Sequence, residues 1–332
     1  MTFELFVTSL SLGLVGAWFM SRFAYRFGLL DIPNDRSSHN LPTPRGGGVG
    51  ILAAFVVSSV WLGLPLLLWL PAVVLAVVSF FDDKLDLSPR TRLIFQFAAA
   101  LIISGYALGV PESLSIQNPT SIIQNSTLLL FCSIVIVGTA NFYNFMDGIN
   151  GIAAITGAVG FCLLGSFALF FAGQPNLAYA AIAMAAACVG FLPFNIPKAR
   201  VFMGDVGSIL LGFVFAGYVV LLTRTAADFL VLAGFLSTFY ADALTTLYVR
   251  KRDGERLSQA HRRHLYQLYA NQQQVTHWKV SVCYGLVQAT VGLSLLALHQ
   301  FGWQAVAAWE LLLLAGWWLV MQRVRKRVER QC

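Results

Sequence analysis

Eleven long apolar stretches, separated by shorter polar connections, make up most of this chain. Each is close to the roughly 20 apolar residues that a helix needs to cross about 30 Å of hydrocarbon. The pattern therefore predicts an all-α, polytopic integral membrane helical bundle of about eleven transmembrane helices. The stretches lie near residues 3–22, 47–63, 66–81, 92–110, 127–142, 151–172, 177–192, 206–222, 228–248, 278–298 and 303–321.

Positive charge falls almost entirely on alternate connections. With the N-terminus placed outside, the outer connections hold only Arg224. An excess of Lys and Arg on short loops sets the orientation of a membrane protein, so we predict an outer N-terminus and a cytoplasmic C-terminus. The inner connections hold Arg22, Arg26, Arg36, Arg45, Lys84, Arg90, Arg92, Lys198, Arg200 and the basic groups within 250–279 and 323–330.

Composition agrees with a membrane protein, because only 11% of the 332 residues are charged and 58% are hydrophobic, against roughly 25% charged in soluble domains. No connection is long enough to fold separately, so residues 1–332 are predicted to form a single domain. The basic tail at 323–330 is read as a topology signal, and no nucleic-acid partner is expected. The cytoplasmic catalytic loops are predicted near 23–46, 82–92, 142–151, 193–206 and 249–277.

Three aspartates, Asp82, Asp83 and Asp86, directly follow the third apolar stretch. Carboxylates at a helix C-terminus oppose the helix dipole and repel one another unless cations compensate them. One interpretation is a solvated loop in which Lys84, Arg90 and Arg92 are partners. The alternative is a functional carboxylate pair.

Asn141, Asn144 and Asp147 recur every three residues at the inner end of the fifth stretch. Polar side chains at membrane depth are costly and usually face a cavity or a partner. Gly148 and Gly151, on either side of Asn150, permit a tight turn or a close approach of the backbone to a ligand. The stripe is either a ligand site or a set of hydrogen bonds between helices.

Gly204-Asp205-Val206-Gly207-Ser208 opens the eighth stretch. Asp205 is suited to be a helix N-cap, and it is equally suited to bind Mg²⁺, which prefers oxygen ligands.

A fourth cluster, His261-Arg262-Arg263-His264, lies in the last long inner loop. The segment from Ala260 to Leu268 has helix-compatible residues, which predicts that the two histidines share one helical face. Arg guanidinium groups match phosphate oxygens bidentately, and no cysteine or carboxylate completes a zinc site. The alternative is a basic loop that only sets topology.

Two further features are left open. Pro42-Thr43-Pro44-Arg45-Gly46-Gly47 precedes the second stretch, where it forms either an anion site or an ordinary turn. Asp242 lies well inside the ninth stretch, so it needs a partner and is either structural or part of a site wall.

Together these segments resemble the polyprenyl-phosphate N-acetylhexosamine-1-phosphate transferase superfamily, whose members initiate O-antigen, common-antigen and teichoic-acid assembly. The resemblance covers essentially the whole chain and rests on five motifs in family order. They are Pro42-Thr43-Pro44-Arg45-Gly46-Gly47, Asp82-Asp83-x-x-Asp86, Asn141-x-x-Asn144-x-x-Asp147-Gly148, Phe202-x-Gly204-Asp205-x-Gly207-Ser208 and the loop at 261–264.

The resemblance implies transfer of a sugar 1-phosphate from a UDP-N-acetyl sugar to undecaprenyl phosphate, with UMP as the second product. The site would lie on the cytoplasmic face of a bacterial inner membrane, in contact with membrane lipid. Asn144 and Asp205 would hold Mg²⁺, for which Mn²⁺ could substitute. Asp82 and Asp83 would handle the acceptor phosphate, with Asp82 preferred as the base. The oligomeric state stays open, a homodimer included.

Other positions match the substrate-binding regions of the family. Asp147, the third candidate catalytic carboxylate, matches with Gly148 and Asn150 the neighbourhood that binds uridine. The loop residues His261, Arg262, Arg263 and His264 match the segment that grips the sugar diphosphate. Arg45 and Asn141 complete the expected substrate-binding set.

Two departures from the family pattern concern the donor. Asn150 stands where many members have a second Asp, and the loop at 261–264 has neither the triple-His form nor the His-x-His-His form. The loop most resembles O-antigen initiators that accept N-acetylfucosamine or related sugars besides N-acetylglucosamine. A phospho-MurNAc-pentapeptide transferase is the alternative within the family. A secondary transporter is the alternative outside it, although transporters cluster polar groups near the midplane and often contain repeats.

Overall fold

The computed structural model describes residues 2–33, 41–85, 87–109, 119–256 and 261–329. Asp86 and the side chain of Asp83 lie outside the described parts. The helices are α1 (Thr2–Phe23), α2 (Val49–Trp61), α3 (Leu66–Leu85), α4 (Pro89–Ala107), α5 (Pro119–Met146), α6 (Ile152–Phe170), α7 (Pro175–Phe191), α8 (Asp205–Leu222), α9 (Ala226–Gly234), α10 (Ser237–Arg252), α11 (Leu265–Gln267), α12 (His277–Leu298) and α13 (Trp303–Glu329). Two short strands, β1 (Leu30–Asp31) and β2 (Thr43–Pro44), pair antiparallel.

Every predicted span coincides with one helix or, at 228–248, with a pair of helices. Within the described ranges, seven helices are long and apolar enough to cross a membrane, or eight if the pair is one span, and α2 and part of α3 are shorter apolar helices. An all-α, polytopic membrane protein is therefore confirmed. The count of eleven and the orientation stay predictions.

The sequence pattern predicted one continuous helix for the ninth span. The structure instead has two helices there, α9 and α10, which meet at an angle of 84°. Gln288 of α12 satisfies both broken ends. Its Nε2 donates to the carbonyls of Gly234 and Phe235 at the end of α9. Its Oε1 accepts from the backbone N–H and the hydroxyl of Thr238 in α10, at 3.1 and 2.7 Å. A buried break is tolerated in a membrane only when its free backbone groups find such partners.

Helix α8 lies at the centre of the bundle, with 89% of its span buried, whereas only 11% of the span in α13 is buried. It packs mainly on α5 and α3, and α6 and α7 pack on each other and on α12 and α1. Because consecutive helices alternate in direction, the C-terminal ends of α3 and α5 meet the N-terminal ends of α4 and α8. The polar connections therefore gather at one end of the bundle.

Candidate active site

Four side chains converge where these helix ends meet. The Asn144 Nδ2 atom donates to Asp205 Oδ1 and to the Ser208 hydroxyl, both at 2.9 Å. The Arg92 Nη1 atom lies 3.0 Å from Asp82 Oδ2 and 3.7 Å from Asp205 Oδ2. One guanidinium group thus bridges two carboxylates that are more than 120 residues apart in the sequence. This arrangement shows that the carboxylate pair attracts a cation.

Asp82 is held at the last turn of α3, where it is only 7% exposed. Its second oxygen, Oδ1, accepts a hydrogen bond from the Leu87 N–H at 2.8 Å. Helix α4 then begins with Ser88 as its N-cap, which accepts from the Thr91 N–H. The turn between α3 and α4 therefore brings Arg92 back onto Asp82.

A cavity of about 290 Å³ opens between α3, α4, α5 and α8 beside this cluster. Its polar end carries Asp82, Arg92, Asn144 and Asp205, while its walls are mostly apolar. The wall residues include Leu75, Val78, Leu93, Phe145 and Ile209. Such a cavity suits a molecule with an anionic head and an apolar tail.

Gln96 of α4, which is 3% exposed, completes the wall. The Asn141 Nδ2 atom donates to Gln96 Oε1 at 2.6 Å and to the Val137 carbonyl at 2.8 Å. Asn141 and Asn144 therefore occupy the same wall, as the spacing of three predicted. Sequence reasoning missed Gln96, and it treated Arg92 only as a compensating charge.

The segment around Arg45 is fixed against the loop that precedes α8. The Gly47 and Gly48 N–H groups donate to the Phe202 and Met203 carbonyls, each at 2.9 Å. A Cβ on Gly48 would collide with the backbone of Gly207, so the starts of α2 and α8 touch only because both positions are glycine. Arg45 lies 3.6 Å from Asp31 and close enough to Asp205 to interact with it electrostatically.

Asp147 and Gly148 follow α5 and face the last long loop. The Tyr266 hydroxyl packs against Gly148, where a Cβ would collide with it. The same hydroxyl donates to the Phe145 carbonyl at 3.0 Å. Burial, followed by the charges of Asp242 and Asp147, raises the pKa of Tyr266 well above its usual value, so the hydroxyl stays protonated and donates. Tyr266, which sequence reasoning did not single out, joins the two motifs.

Asn150 is held in the turn before α6. Its Nδ2 donates to the Pro197 carbonyl at 3.3 Å, and its own carbonyl accepts from the Ser281 hydroxyl at 2.8 Å. The Asn150 N–H lies 3.5 Å from His277 Nδ1. These contacts join Asn150 to the loop before α8 and to the start of α12. A neutral amide suits such contacts.

The loop at 261–264 is not helical, which corrects the prediction of a helix over 260–268. Helix α11 begins only at Leu265, because His264 is its N-cap and its N–H donates to Gln267 Oε1. The His261 and His264 rings still lie close together, with centroids 4.8 Å apart. Burial, followed by the charges of His264 and Arg250, lowers the pKa of His261 to about 4. His261 is therefore neutral at pH 7.

The two arginines of this loop have different surroundings. Arg263 pairs with Asp253 at 2.8 Å and with Glu255. Glu255 also pairs with Arg250, which is 2% exposed, at 2.9 Å. Arg263 thus belongs to an ion network at the end of α10. Arg262 interacts with other groups than Asp253 and Glu255. The two arginines are therefore inequivalent in their surroundings.

The donor set at the cluster fits a magnesium ion. Magnesium is usually held by one or two carboxylates while water and substrate phosphates fill the remaining positions. Asp205 and the amide of Asn144 are adjacent, and Asp82 is joined to them through Arg92. In the described ranges, no three or more His, Cys, Asp or Glu side chains are placed so that they could hold a metal ion together. The roles assigned to these residues stay predictions.

Comparison with known proteins adds an independent observation. Residues 65–223 match the family described as glycosyl transferase family 4. The chain is 33% identical to decaprenyl-phosphate N-acetylglucosaminephosphotransferase of Mycolicibacterium smegmatis, over 57% of this chain and 52% of the relative. It is 28% identical to the "Probable undecaprenyl-phosphate N-acetylglucosaminyl 1-phosphate transferase" of Bacillus subtilis, over 63% of this chain and 59% of the relative.

The chain thus spans a little over half the length of these two relatives. A longer match is the phospho-N-acetylmuramoyl-pentapeptide-transferase of Chlorobium chlorochromatii, which is 30% identical over 67% of this chain and 70% of the relative. The match at 65–223 contains Asp82, Asn144 and Asp205, the residues that converge in the structure. The chain therefore belongs to glycosyl transferase family 4, the polyprenyl-phosphate N-acetylhexosamine-1-phosphate transferase superfamily.

Proposed function

We propose that this protein transfers an N-acetylated sugar 1-phosphate from a UDP-sugar to undecaprenyl phosphate. An oxygen of the lipid phosphate forms a bond to the phosphorus that carries the sugar. The bond from that phosphorus to the bridging oxygen breaks, and UMP leaves. The products are undecaprenyl-diphospho-sugar and UMP, and we place the reaction at the first membrane step of O-antigen or another surface polysaccharide.

The observation that carries this proposal is the position of the cluster at Asp82, Arg92, Asn144 and Asp205, at the polar end of an apolar-walled cavity. In-line displacement at phosphorus depends on positioning and on neutralising the phosphate charge. A lipid phosphate can enter along the apolar wall while a nucleotide arrives from water. The names of these relatives, which specify decaprenyl phosphate and undecaprenyl phosphate, support the same class of reaction.

In this proposal Asn144 and Asp205 hold Mg²⁺, or Mn²⁺ in its place, which when bound neutralises charge on the transferring phosphate. Asp82 acts on the acceptor side, where its carboxylate can take a proton from a lipid phosphate that arrives protonated. Arg92 neutralises the charge of the phosphates and holds Asp82 in place. Gln96 fixes Asn141 at the wall of the cavity.

The proposal includes eleven spans, an outer N-terminus and a site on the cytoplasmic face of a bacterial inner membrane. It is supported by the alternation of the helices, which brings Asp82, Asn144 and Asp205 to the same end of the bundle as most of the Lys and Arg residues. Membrane lipid then surrounds the exposed apolar side chains. A homodimer belongs to this proposal as a further expectation.

The test is conversion of a radiolabelled UDP-sugar into an organic-soluble product by the purified protein with undecaprenyl phosphate and Mg²⁺. UDP-N-acetylglucosamine, UDP-N-acetylfucosamine and UDP-MurNAc-pentapeptide are compared as donors, and UMP is quantified. We expect equal amounts of UMP and lipid product, with one of the first two donors preferred. Preference for UDP-MurNAc-pentapeptide would identify the alternative within the family. Absence of turnover with every donor would refute the proposal.

A further inference from the structure

Asp242 of α10 is completely buried, yet its carboxylate is surrounded by hydrogen-bond donors. Oδ1 accepts from the Leu265 N–H at 2.9 Å and the Thr246 hydroxyl at 3.2 Å, and it lies 3.3 Å from His264 Nδ1. Oδ2 accepts from the Tyr266 N–H and from the Tyr284 hydroxyl. A buried carboxylate is tolerated only when such partners satisfy it.

Most of these donors belong to one short segment, His264-Leu265-Tyr266, which begins α11. The Tyr266 N–H lies 3.2 Å and the Tyr284 hydroxyl of α12 lies 2.7 Å from Oδ2. With the carboxylate of Asp242 as the acceptor, the His264 Nδ1 is the donor, and this contact fixes the orientation of the ring. Asp242 therefore fixes the backbone and the ring orientation at the end of the loop 261–264.

The same segment reaches the motif that ends α5. The Tyr266 hydroxyl donates to the Phe145 carbonyl and packs on Gly148, as described above. The ring of His264 stacks on that of Tyr266, with centroids 5.6 Å apart and planes 17° apart. A continuous set of contacts thus runs from Asp242 through Tyr266 to Gly148, next to Asp147.

Two further groups hold the loop from the other side. The Arg263 carbonyl accepts from Arg325 Nη2 of α13 at 3.1 Å, and it lies 3.5 Å from the Thr246 hydroxyl, which shares its proton between this carbonyl and Asp242. These bonds restrain one backbone atom, whereas Asp242 binds two consecutive N–H groups and a ring. Asp242 is therefore the main anchor of the segment.

We infer that Asp242 is a positioning residue for donor binding: through His264 and Tyr266 it sets the loop 261–264 against Asp147 and Gly148. This inference rests on the proposed function for its substrate, the UDP-sugar. Asp242 itself does not contact the donor. It acts by holding the groups that do.

The first test compares Asp242→Asn with Tyr284→Phe. In Asp242→Asn one acceptor oxygen is replaced by an NH₂ group, which must then face N–H or O–H groups that donated to the carboxylate. Tyr284→Phe removes only one donor, and that donor does not belong to the loop. We expect Asp242→Asn to lower kcat/KM for the UDP-sugar roughly 10- to 100-fold, mainly through KM, since bonds to a charged group are lost. Tyr284→Phe should lower it less than about fivefold.

Coupling to His264 separates positioning from general stability. If Asp242 acts through the ring, adding Asp242→Asn to His264→Ala should cost much less than it costs in the wild type. Independent effects that multiply in the double variant would overturn the inference. So would a lower melting temperature of Asp242→Asn with unchanged KM, because that result indicates a purely structural role.

A measurement without substrate keeps the inference testable if no donor is turned over. Amide hydrogen exchange should accelerate at Leu265 and Tyr266 in Asp242→Asn relative to Tyr284→Phe, while α8 stays protected. Equal exchange in the two variants would contradict the inference, whatever the activity. If Asp242→Asn does not fold, Tyr266→Phe is measured in its place, because it removes only the bond to the Phe145 carbonyl. An unchanged KM for the UDP-sugar in Tyr266→Phe would also overturn the inference.

Discussion

Arg92→Ala removes the guanidinium that lies between Asp82 and Asp205. The bond to Asp82 is 3.0 Å long and charge-assisted, a class worth about 1.5–3 kcal/mol. Arg92 is 42% exposed, so solvent weakens the pair and the lower part of that range, about 1.5–2 kcal/mol, applies. Since Arg92 also neutralises phosphate charge in the proposed reaction, we assign an interaction of this size to the transition state, and at 1.4 kcal/mol for each factor of ten kcat should fall about 10- to 30-fold.

The same variant should bind Mg²⁺ more tightly. Arg92 neutralises the two carboxylates that would attract the metal, so its removal leaves more negative charge at Asp205. The concentration of Mg²⁺ that gives half-maximal turnover should therefore fall while the maximal rate falls. A metal titration of the steady-state rate measures both quantities in one experiment.

Arg90→Ala is the matched control, because Arg90 is an exposed residue of the same turn. It should leave the rate and the Mg²⁺ dependence close to those of the wild type. If Arg92→Ala and Arg90→Ala behave alike in both quantities, Arg92 is only a surface charge and the reasoning is wrong. If Arg92→Ala lowers the maximal rate as expected but requires more Mg²⁺ for half-maximal turnover, Arg92 supports metal binding instead of opposing it.

Four further outcomes are expected. Asp205→Asn should abolish most Mg²⁺-dependent turnover and leave the protein folded in detergent; wild-type rates across a Mg²⁺ titration would exclude Asp205 as a ligand. Asp82→Asn should lower turnover with nearly normal nucleotide binding, whereas an equal loss of UDP-sugar affinity would move Asp82 to the donor side. Arg262→Ala should raise the donor KM more than Arg263→Ala does, because Arg263 is occupied by Asp253 and Glu255; equal, negligible effects would leave the loop a topology signal only. The native pKa of His261, about 4, is below its unfolded value of about 6.5. His261 therefore contributes stability above pH 6.5 that is lost as pH falls towards 4, and the melting temperature of His261→Gln should decline less from pH 7 to 5 than that of the wild type.

The sequence predicted the elements and the convergence of the site because both follow from simple periodicities. Alternating spans place every second connection on one side, so Asp82, Asn144 and Asp205 had to lie at the same end of the bundle. The spacing of three put Asn141 and Asn144 on one wall, which the bonds to Gln96 and Asp205 confirm.

The rest depends on tertiary partners that leave no periodic signal. The break between α9 and α10 has its free backbone groups satisfied by Gln288, a residue of another helix that is 50 or more positions away in the sequence. The helix predicted over 260–268 starts late because Asp242 accepts the N–H groups of Leu265 and Tyr266. Local propensity is a weak guide where such contacts compete with it. The ionisable Asp242 at membrane depth was the visible signal of a partner, and its position pointed to no particular one.

The two carboxylates of the site occupy opposite electrostatic positions. Asp205 is the first residue of α8, where the helix dipole favours negative charge. Asp82 is in the last turn of α3, where the dipole disfavours negative charge, and its two oxygens accept hydrogen bonds from Arg92 and from the Leu87 N–H. A carboxylate at a helix N-terminus beside an amide side chain suits a metal ligand, and a carboxylate that contacts a cation on the acceptor side suits proton transfer. The helix directions thus support Asp205 as the ligand and Asp82 as the base, and they explain why the loss of Arg92 should affect Asp82 first.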